Sequence, residues 1–241
     1  MTTPNFSSPY RVDWFAPGAS ARAESASHPT HYPVGLADGS RLCLPLTPLP
    51  GSDRAVALLM SNQTNFMVER EIVERMIVPV RAAAPEAVVG IPTLGLTYAR
   101  PVAEAIGMSD FVALGHSRKF WYDERLSEAV VSSTSPEQSK RVYLDPALLE
   151  RVHAKRVVII DDVLNTGATM AAAISLLQKA QARVVALVVV LTEGWDWHRK
   201  LAGIDPAMPA LVSALGHIPL FQRTGIGWAP IPETDVDARP S

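Results

Sequence analysis

The sequence predicts an α/β protein built on a mainly parallel sheet flanked by helices, and three observations carry that reading. From residue 87 onward, strand-like and helix-like runs alternate, the order that produces right-handed βαβ crossovers and a parallel sheet. Two of the runs, residues 157–160 and 184–190, are continuously apolar, as strands buried on both faces must be. With 48% hydrophobic and 19% charged residues the chain also has the composition of a soluble globular protein with a normal core.

Taken in order, residues 1–40 are rich in Pro, Ser, Ala and Gly and show no periodicity, which predicts an irregular arm; Tyr10, Trp14, Phe15 and Tyr32 argue against complete disorder there. Two strand-like runs follow, 41–46 and 54–60, separated by a turn segment ending Pro50-Gly51-Ser52-Asp53. That segment reads as a hairpin connection or a bend, and the two runs precede the main sheet or form its edge. Residues 66–78 place Phe66, Met67, Ile72, Val73, Met76 and Ile77 near helical spacing, with Glu69, Arg70, Glu71, Glu74 and Arg75 opposite. The charges read as a solvated face with a Glu71–Arg75 pair at i,i+4. The alternating part then runs strand 87–91, helix 96–106, strand 111–114, a polar excursion over 115–140, strand 156–160, helix 168–180 and strand 183–191. The tail, 192–241, carries Trp195, Trp197, Phe221 and Trp228 in irregular order and either caps a site or serves an oligomer contact. The expected organisation is one principal domain: an arm over 1–40, an α/β core over 41–191 and a hood or tail over 192–241.

A formal charge of −2 gives no basic excess to neutralise a nucleic-acid backbone. Cys43 is the single cysteine, which excludes an intramolecular disulfide and a thiolate cage and fits a reducing compartment. The first residues lack the charged-then-apolar order of a signal peptide. The longest apolar run, 184–191, falls far short of the roughly 20 residues of a membrane-spanning helix. The expectation is a cytoplasmic protein with no membrane and no nucleic-acid partner.

The informative stretch is Val157-Val158-Ile159-Ile160-Asp161-Asp162-Val163-Leu164-Asn165-Thr166-Gly167-Ala168-Thr169. A buried strand delivers two acids to its carboxyl end, where ligands of open α/β sheets bind. A loop then opens into a helix whose unpaired N–H groups, with the hydroxyls of Thr166 and Thr169, suit a phosphate monoester. Gly167 lets the backbone approach that anion closely. Asp161 and Asp162 would repel a phosphate, so they face vicinal hydroxyls or a hydrated Mg²⁺ instead. A phosphate nest beside a diol-binding acid pair describes a ribose 5-phosphate. The competing reading is that two acids end a strand and cap a helix with no ligand at all.

The same residues resemble the phosphoribosyl pyrophosphate (PRPP) signature of the type I phosphoribosyltransferases. That resemblance implies a core of this α/β type with a small hood built from terminal segments, Mg²⁺ carried by PRPP, and a homodimer. It implies transfer of the 5-phosphoribosyl group to a nitrogenous base, expected to be a purine, with release of pyrophosphate. Val163, Asn165, Thr166, Gly167, Ala168 and Thr169 join the acids as PRPP-binding residues, and Thr93-Leu94-Gly95 takes the place of the pyrophosphate loop, with Leu94 where many members carry a charge. Residues 115–140 match the mobile lid, with Arg118 and Lys119 as catalytic cations for the departing pyrophosphate. A solvated surface turn is the other reading of those two residues. Val163 would offer one face to the base, and Trp195 and Trp197 are the candidates for a second wall or, equally, for packing against the tail. Asn165 stands where some purine-using relatives have an acid, and it cannot accept a proton with comparable strength.

Other features carry less. The glycine spacing from Gly90 to Thr97 imitates a phosphate loop of ATPases but has Leu96 in place of the lysine. His28 and His31 lack a third ligand. The alternative function is a non-catalytic PRPP-binding regulator with the same fold, for which Arg118 and Lys119 would be dispensable.

Overall fold

The computed structural model describes residues 10–19, 28–130 and 140–240. The chain opens with antiparallel strands β1 (Asp13–Phe15), β2 (His31–Gly35), β3 (Arg41–Pro48) and β4 (Arg54–Ala57). β3 pairs with both β1 and β2, and its last residues pair with β4. Leu42, Leu44 and Leu46 all point to the buried face of β3, as the two-residue period of a strand requires. The stretch expected as an irregular arm therefore contributes two strands. Each is short and ordered by its pairing with β3, not by a periodicity of its own. Residues 1–9 and 20–27 of that arm lie outside the described residues.

Helix α1 (Phe66–Ala82) begins at Asn65, whose side chain accepts the Val68 N–H at 3.0 Å. It runs past Pro79, beyond the expected stop, and Val80, wholly buried, holds the last turn on the sheet. Next come β5 (Ala87–Gly90), α2 (Leu96–Ala105), β6 (Val112–Ala113), β7 (Ser127–Ala129), β8 (Arg141–Tyr143), β9 (Arg156–Leu164), α3 (Ala168–Lys179), β10 (Arg183–Glu193), α4 (Asp196–Ala202) and β11 (Val212–Ile218). Five of these strands form a parallel sheet in the order β11-β10-β9-β5-β6. The expected fold class holds, with two differences. β11 comes from the expected tail and extends the sheet, and β9 and β10 run on to Leu164 and Glu193, so the acid pair lies within a strand and not after it. Finally β12 (Phe221–Thr224) and β13 (Gly227–Pro230) return to the antiparallel sheet, where β12 pairs with β4. Both ends of the chain thus build the hood, and the two runs expected to precede the main sheet or form its edge belong to it.

Alternation along the central strands divides the core. Val158, Ile160, Val188 and Val190 face α1, α2 and the hood, whereas Val157, Ile159, Leu187 and Val189 face α3 and Trp197. Each such side chain, removed from water, stabilises by roughly 1.5–3 kcal/mol relative to exposure. The hood docks where Leu36 bridges to Gly216; a Cβ there would come within 2.7 Å of Leu36 Cδ2. Arg75 reinforces the junction. It pairs with Glu71 at 2.9 Å as expected, and also with Asp38 at 2.7 Å, and its guanidinium lies 4.2 Å from the centre of the Trp14 ring. Part of the charged face of α1 is therefore a clamp on the hood. Among the described residues no helix is long and apolar enough to cross a membrane.

Candidate functional site

The carboxyl ends of β5 and β9 bring together three pieces of chain: the acid pair, residues 91–95 and residues 165–169. Residues 91–95 leave β5 with the Ile91 N–H donating to Ile160 C=O at 3.0 Å, and the Pro92–Thr93 peptide is cis. Gly95 then lies directly on the acid pair: a Cβ there would sit 2.8 Å from Asp161 Oδ1, 2.9 Å from Asp161 Cα and 2.7 Å from Ile91 O. Only glycine permits that approach. Thr93 is exposed at the tip and Leu94 half-buried.

The two acids are not equivalent. Asp161 is buried, 8% exposed, and its Oδ1 accepts the Asp162 backbone N–H at 2.9 Å. Burial first, and then the neighbouring Asp162 charge, push its carboxyl well above the usual carboxylate range. Asp162 is more open, and burial raises it too, against the pull of hydrogen bonds from Asp161 and the Val163 backbone. Behind it stand the hydroxyls of Ser61 and Tyr98, buried and without a partner of full hydrogen-bond geometry among the described residues. Ser61 is nonetheless near enough to draw the Asp162 carboxyl down. Tyr98, raised mainly by its burial, stays a neutral phenol. This polar backing comes from β4–α1 and α2, far from the acids in sequence, and no local pattern announces it.

The third piece turns at Gly167, whose φ of +76° suits glycine and almost no other residue. α3 starts there with no acid in its first turn, so its N–H groups meet an anion unopposed. Thr166 is exposed beside them, and its Oγ1 accepts the Ala168 N–H at 3.4 Å. α4 supports the turn from below: a Gly167 Cβ would lie 3.1 Å from Trp197 Cα and 3.3 Å from Lys200 Cβ. Thr169 and Val163 are half-buried and Asn165 is exposed at the mouth of the loop.

The expected aromatic wall needs correction. Trp197 is 2% exposed, packs into the α3 layer and donates its Nε1–H to Gly194 C=O at 3.0 Å, so no ring face remains for a base. Trp195 is half-buried, stacks on His217 at 4.5 Å and donates to Asp235 C=O at 2.8 Å, which ties it to the tail. The expected lid is more ordered than a bare loop. Gly115 bridges to Tyr143, Trp121 donates to Asp145 at 2.9 Å, and β7 pairs antiparallel with β8; residues 131–139 of this segment lie outside the described residues. Arg118 and Lys119 are exposed, and Arg118 turns back on its own segment to pair with Glu124 at 2.9 Å. Glu193, at the end of β10, was not anticipated. It is 6% exposed, interacts with the Asn165 side chain, and burial lifts its carboxyl to about 7 against that interaction.

The arrangement can hold a phosphate at α3, a diol or cation at the acids and a second anion at the backbone of residues 93–95. A family model, the phosphoribosyl transferase domain, matches residues 70–205. The chain is 30% identical over 166 residues to adenine phosphoribosyltransferase of Thermobifida fusca, covering 67% of this chain and 88% of that one. It is 28% identical over 152 residues to adenine phosphoribosyltransferase of a Roseiflexus species, covering 62% and 83%. Among solved structures, the fold is similar to adenine phosphoribosyltransferases of Thermoanaerobacter pseudethanolicus, with a TM-score of 0.57 at 16% identity over 73% of this chain and 95% of that one, and of Giardia lamblia, with 0.57 at 17% identity over 72% and 93%.

Proposed function

The chain belongs to the phosphoribosyl transferase domain family, and from that premise we propose that it transfers the 5-phosphoribosyl group of PRPP to a purine base and releases pyrophosphate. The observation that carries this reading is the seating of Gly95 on Asp161, which joins the anion-binding backbone of residues 93–95 to the acid pair and the Gly167 turn. The relatives named adenine phosphoribosyltransferase support a purine.

In this mechanism Thr166, Gly167, Ala168 and Thr169 hold the 5-phosphate on the N–H groups of α3. Asp162, the more open acid, takes the ribose hydroxyls, while Asp161 fixes the loop above it. As the bond from C1 to pyrophosphate breaks, positive charge grows on the sugar, and the acid pair lies where it stabilises that charge. Thr93, Leu94 and Gly95 hold the pyrophosphate through their backbone, and Arg118 and Lys119 swing over to neutralise it as the lid segment closes and excludes water. Val163 gives the base an apolar face and Asn165 a hydrogen bond.

The two neighbouring carboxylates of Asp161 and Asp162 suit Mg²⁺, which keeps water and substrate phosphate oxygens in its shell and is held by one or two protein acids. Bound there, it would offset the charge of the leaving group. The unpaired Cys43 fits a cytoplasmic setting, and the family resemblance points to a homodimer.

Pyrophosphate release from PRPP and Mg²⁺ across a panel of purines and pyrimidines tests the reading. Release that requires a purine and falls at least about a hundredfold in the Asp161→Asn/Asp162→Asn double variant is the expected result. Binding of PRPP with no release for any base would make the protein a PRPP-binding regulator.

A further inference from the structure

We propose that the 5-phosphate site opens on its far side into a cleft that takes the second phosphate of a nucleoside 5′-diphosphate, with Lys200 as the cation that receives it. The inference rests on the placement of the 5-phosphate at the Gly167 turn and adds a ligand to it, a diphosphate that competes with PRPP. A cleft of about 630 Å³ lies between α3, α4 and β7, within the size range of cavities that hold small ligands. Thr166 and Ala168, two of the residues proposed to hold the 5-phosphate, line the end nearest the turn. Ala171, Ala172 and Ser175 continue the same wall, which at 1.5 Å per residue extends about 10 Å along the helix. One further phosphate fits within a fraction of that length.

Small side chains keep the cleft open. α3 sends Leu176 and Leu177, both wholly buried, into the core, whereas the side that lines the cleft carries three alanines and a serine. Leucines at those positions would fill the space against α4, as side chains do throughout a packed interior.

The charges around the cleft leave one cation over. Glu128 of β7 is paired with Lys179 at 2.6 Å, and Asp196 of α4 with Arg199 at 3.1 Å. Lys200 lines the same space and has no ion-pair partner among the described residues. Its stem starts beside the phosphate turn: a Cβ on Gly167 would lie 3.3 Å from Lys200 Cβ. The ammonium therefore sweeps the end of the cleft at Thr166 and Ala168 on a flexible four-carbon arm. The ribose leaves the 5-phosphate toward the acid pair, so a second phosphate bonded to the first is directed away from those acids, and the cleft receives it. Lysine holds a phosphate as a point charge without a fixed fork geometry, which suits a group on a rotatable anhydride link.

Calorimetric titration of the whole chain with AMP and ADP, and with GMP and GDP, provides the test. It is run without Mg²⁺, so that no cation at the acids can draw the second phosphate, and at low salt, where an exposed lysine is least screened. In the pair that binds better, the diphosphate is expected to bind at least about fivefold more tightly than the monophosphate and to be displaced by PRPP. Lys200→Met keeps a long unbranched stem beside Gly167 and removes the charge. It should bring that preference to about twofold or less while monophosphate affinity stays within about twofold, and Lys200→Arg should retain the preference. A wild type that binds monophosphate and diphosphate alike, or a preference that survives in Lys200→Met, would overturn the assignment and leave the transferase reading standing. Loss of the monophosphate along with the diphosphate in Lys200→Met would overturn it too, because Lys200 would then belong to the 5-phosphate site itself. Should the wild type bind neither monophosphate, the placement of the 5-phosphate fails and this inference with it.

Discussion

The two faces of the parallel sheet are built in different ways. On one, α3 and α4 pack against β9 and β10 using residues close in sequence, and they carry the Gly167 turn. On the other, α1 and α2 are roofed by a hood whose pairings join opposite ends of the chain, as where His28 bridges to Trp228 and β4 pairs with β12. The Gly167 turn proposed to hold the 5-phosphate lies on the locally built face, and Ser61 and Tyr98, which back Asp162, on the other. A site placed at their junction takes rigidity from one side and shape from the other.

Substitutions on each face sharpen that contrast. The largest effect is expected from Trp197→Ala, which removes a buried indole beneath Gly167: stability should fall by about 3–5 kcal/mol in urea titration, and PRPP affinity should fall with it. Next comes Glu193→Gln, with the opposite sign. A carboxyl moved from 4.5 to about 7 binds more protons folded than unfolded, so the wild type loses stability as pH rises through that interval. The variant should gain up to roughly 3 kcal/mol over the wild type above it and nothing below it, which unfolding midpoints at several pH values would show. Gly95→Ala forces a methyl group against Asp161 and should cost on the order of 1–3 kcal/mol together with most of the pyrophosphate release. Smallest is Arg75→Ala on the hood side. Losing its half-exposed pairs with Asp38 and Glu71 should cost about 1 kcal/mol or less and leave PRPP affinity unchanged, and a matching drop in affinity would break the comparison.

Much of this was legible in the residues. The apolar strand at 157–160, the acids after it and the Thr-Gly turn are contiguous, so a single window holds strand, acid pair and helix start, and alternation of elements implied the parallel sheet. Trp197 was misplaced as a candidate base wall because composition shows that an indole follows β10 but not which way a short helix turns it. The helical run read over 66–78 continues through Pro79 to Ala82, where Val80 is wholly buried, because tertiary packing and not local pattern sets that end. The strands at 13–15 and 31–35 carry no period long enough to read.

What the sequence by itself determined is therefore the alternating parallel core and the contiguous run of strand, acid pair and Thr-Gly turn that opens α3, because both follow from hydrogen bonding and hydrophobic period within a dozen or so neighbouring residues. Only the tertiary structure decided that Gly95 rests on Asp161, that Ser61 and Tyr98 stand behind Asp162, that Trp197 supports the loop from within and that Glu193 reaches Asn165. Those contacts join segments whose separation along the chain is unrelated to their separation in space, and close approach and burial, not local propensity, select them.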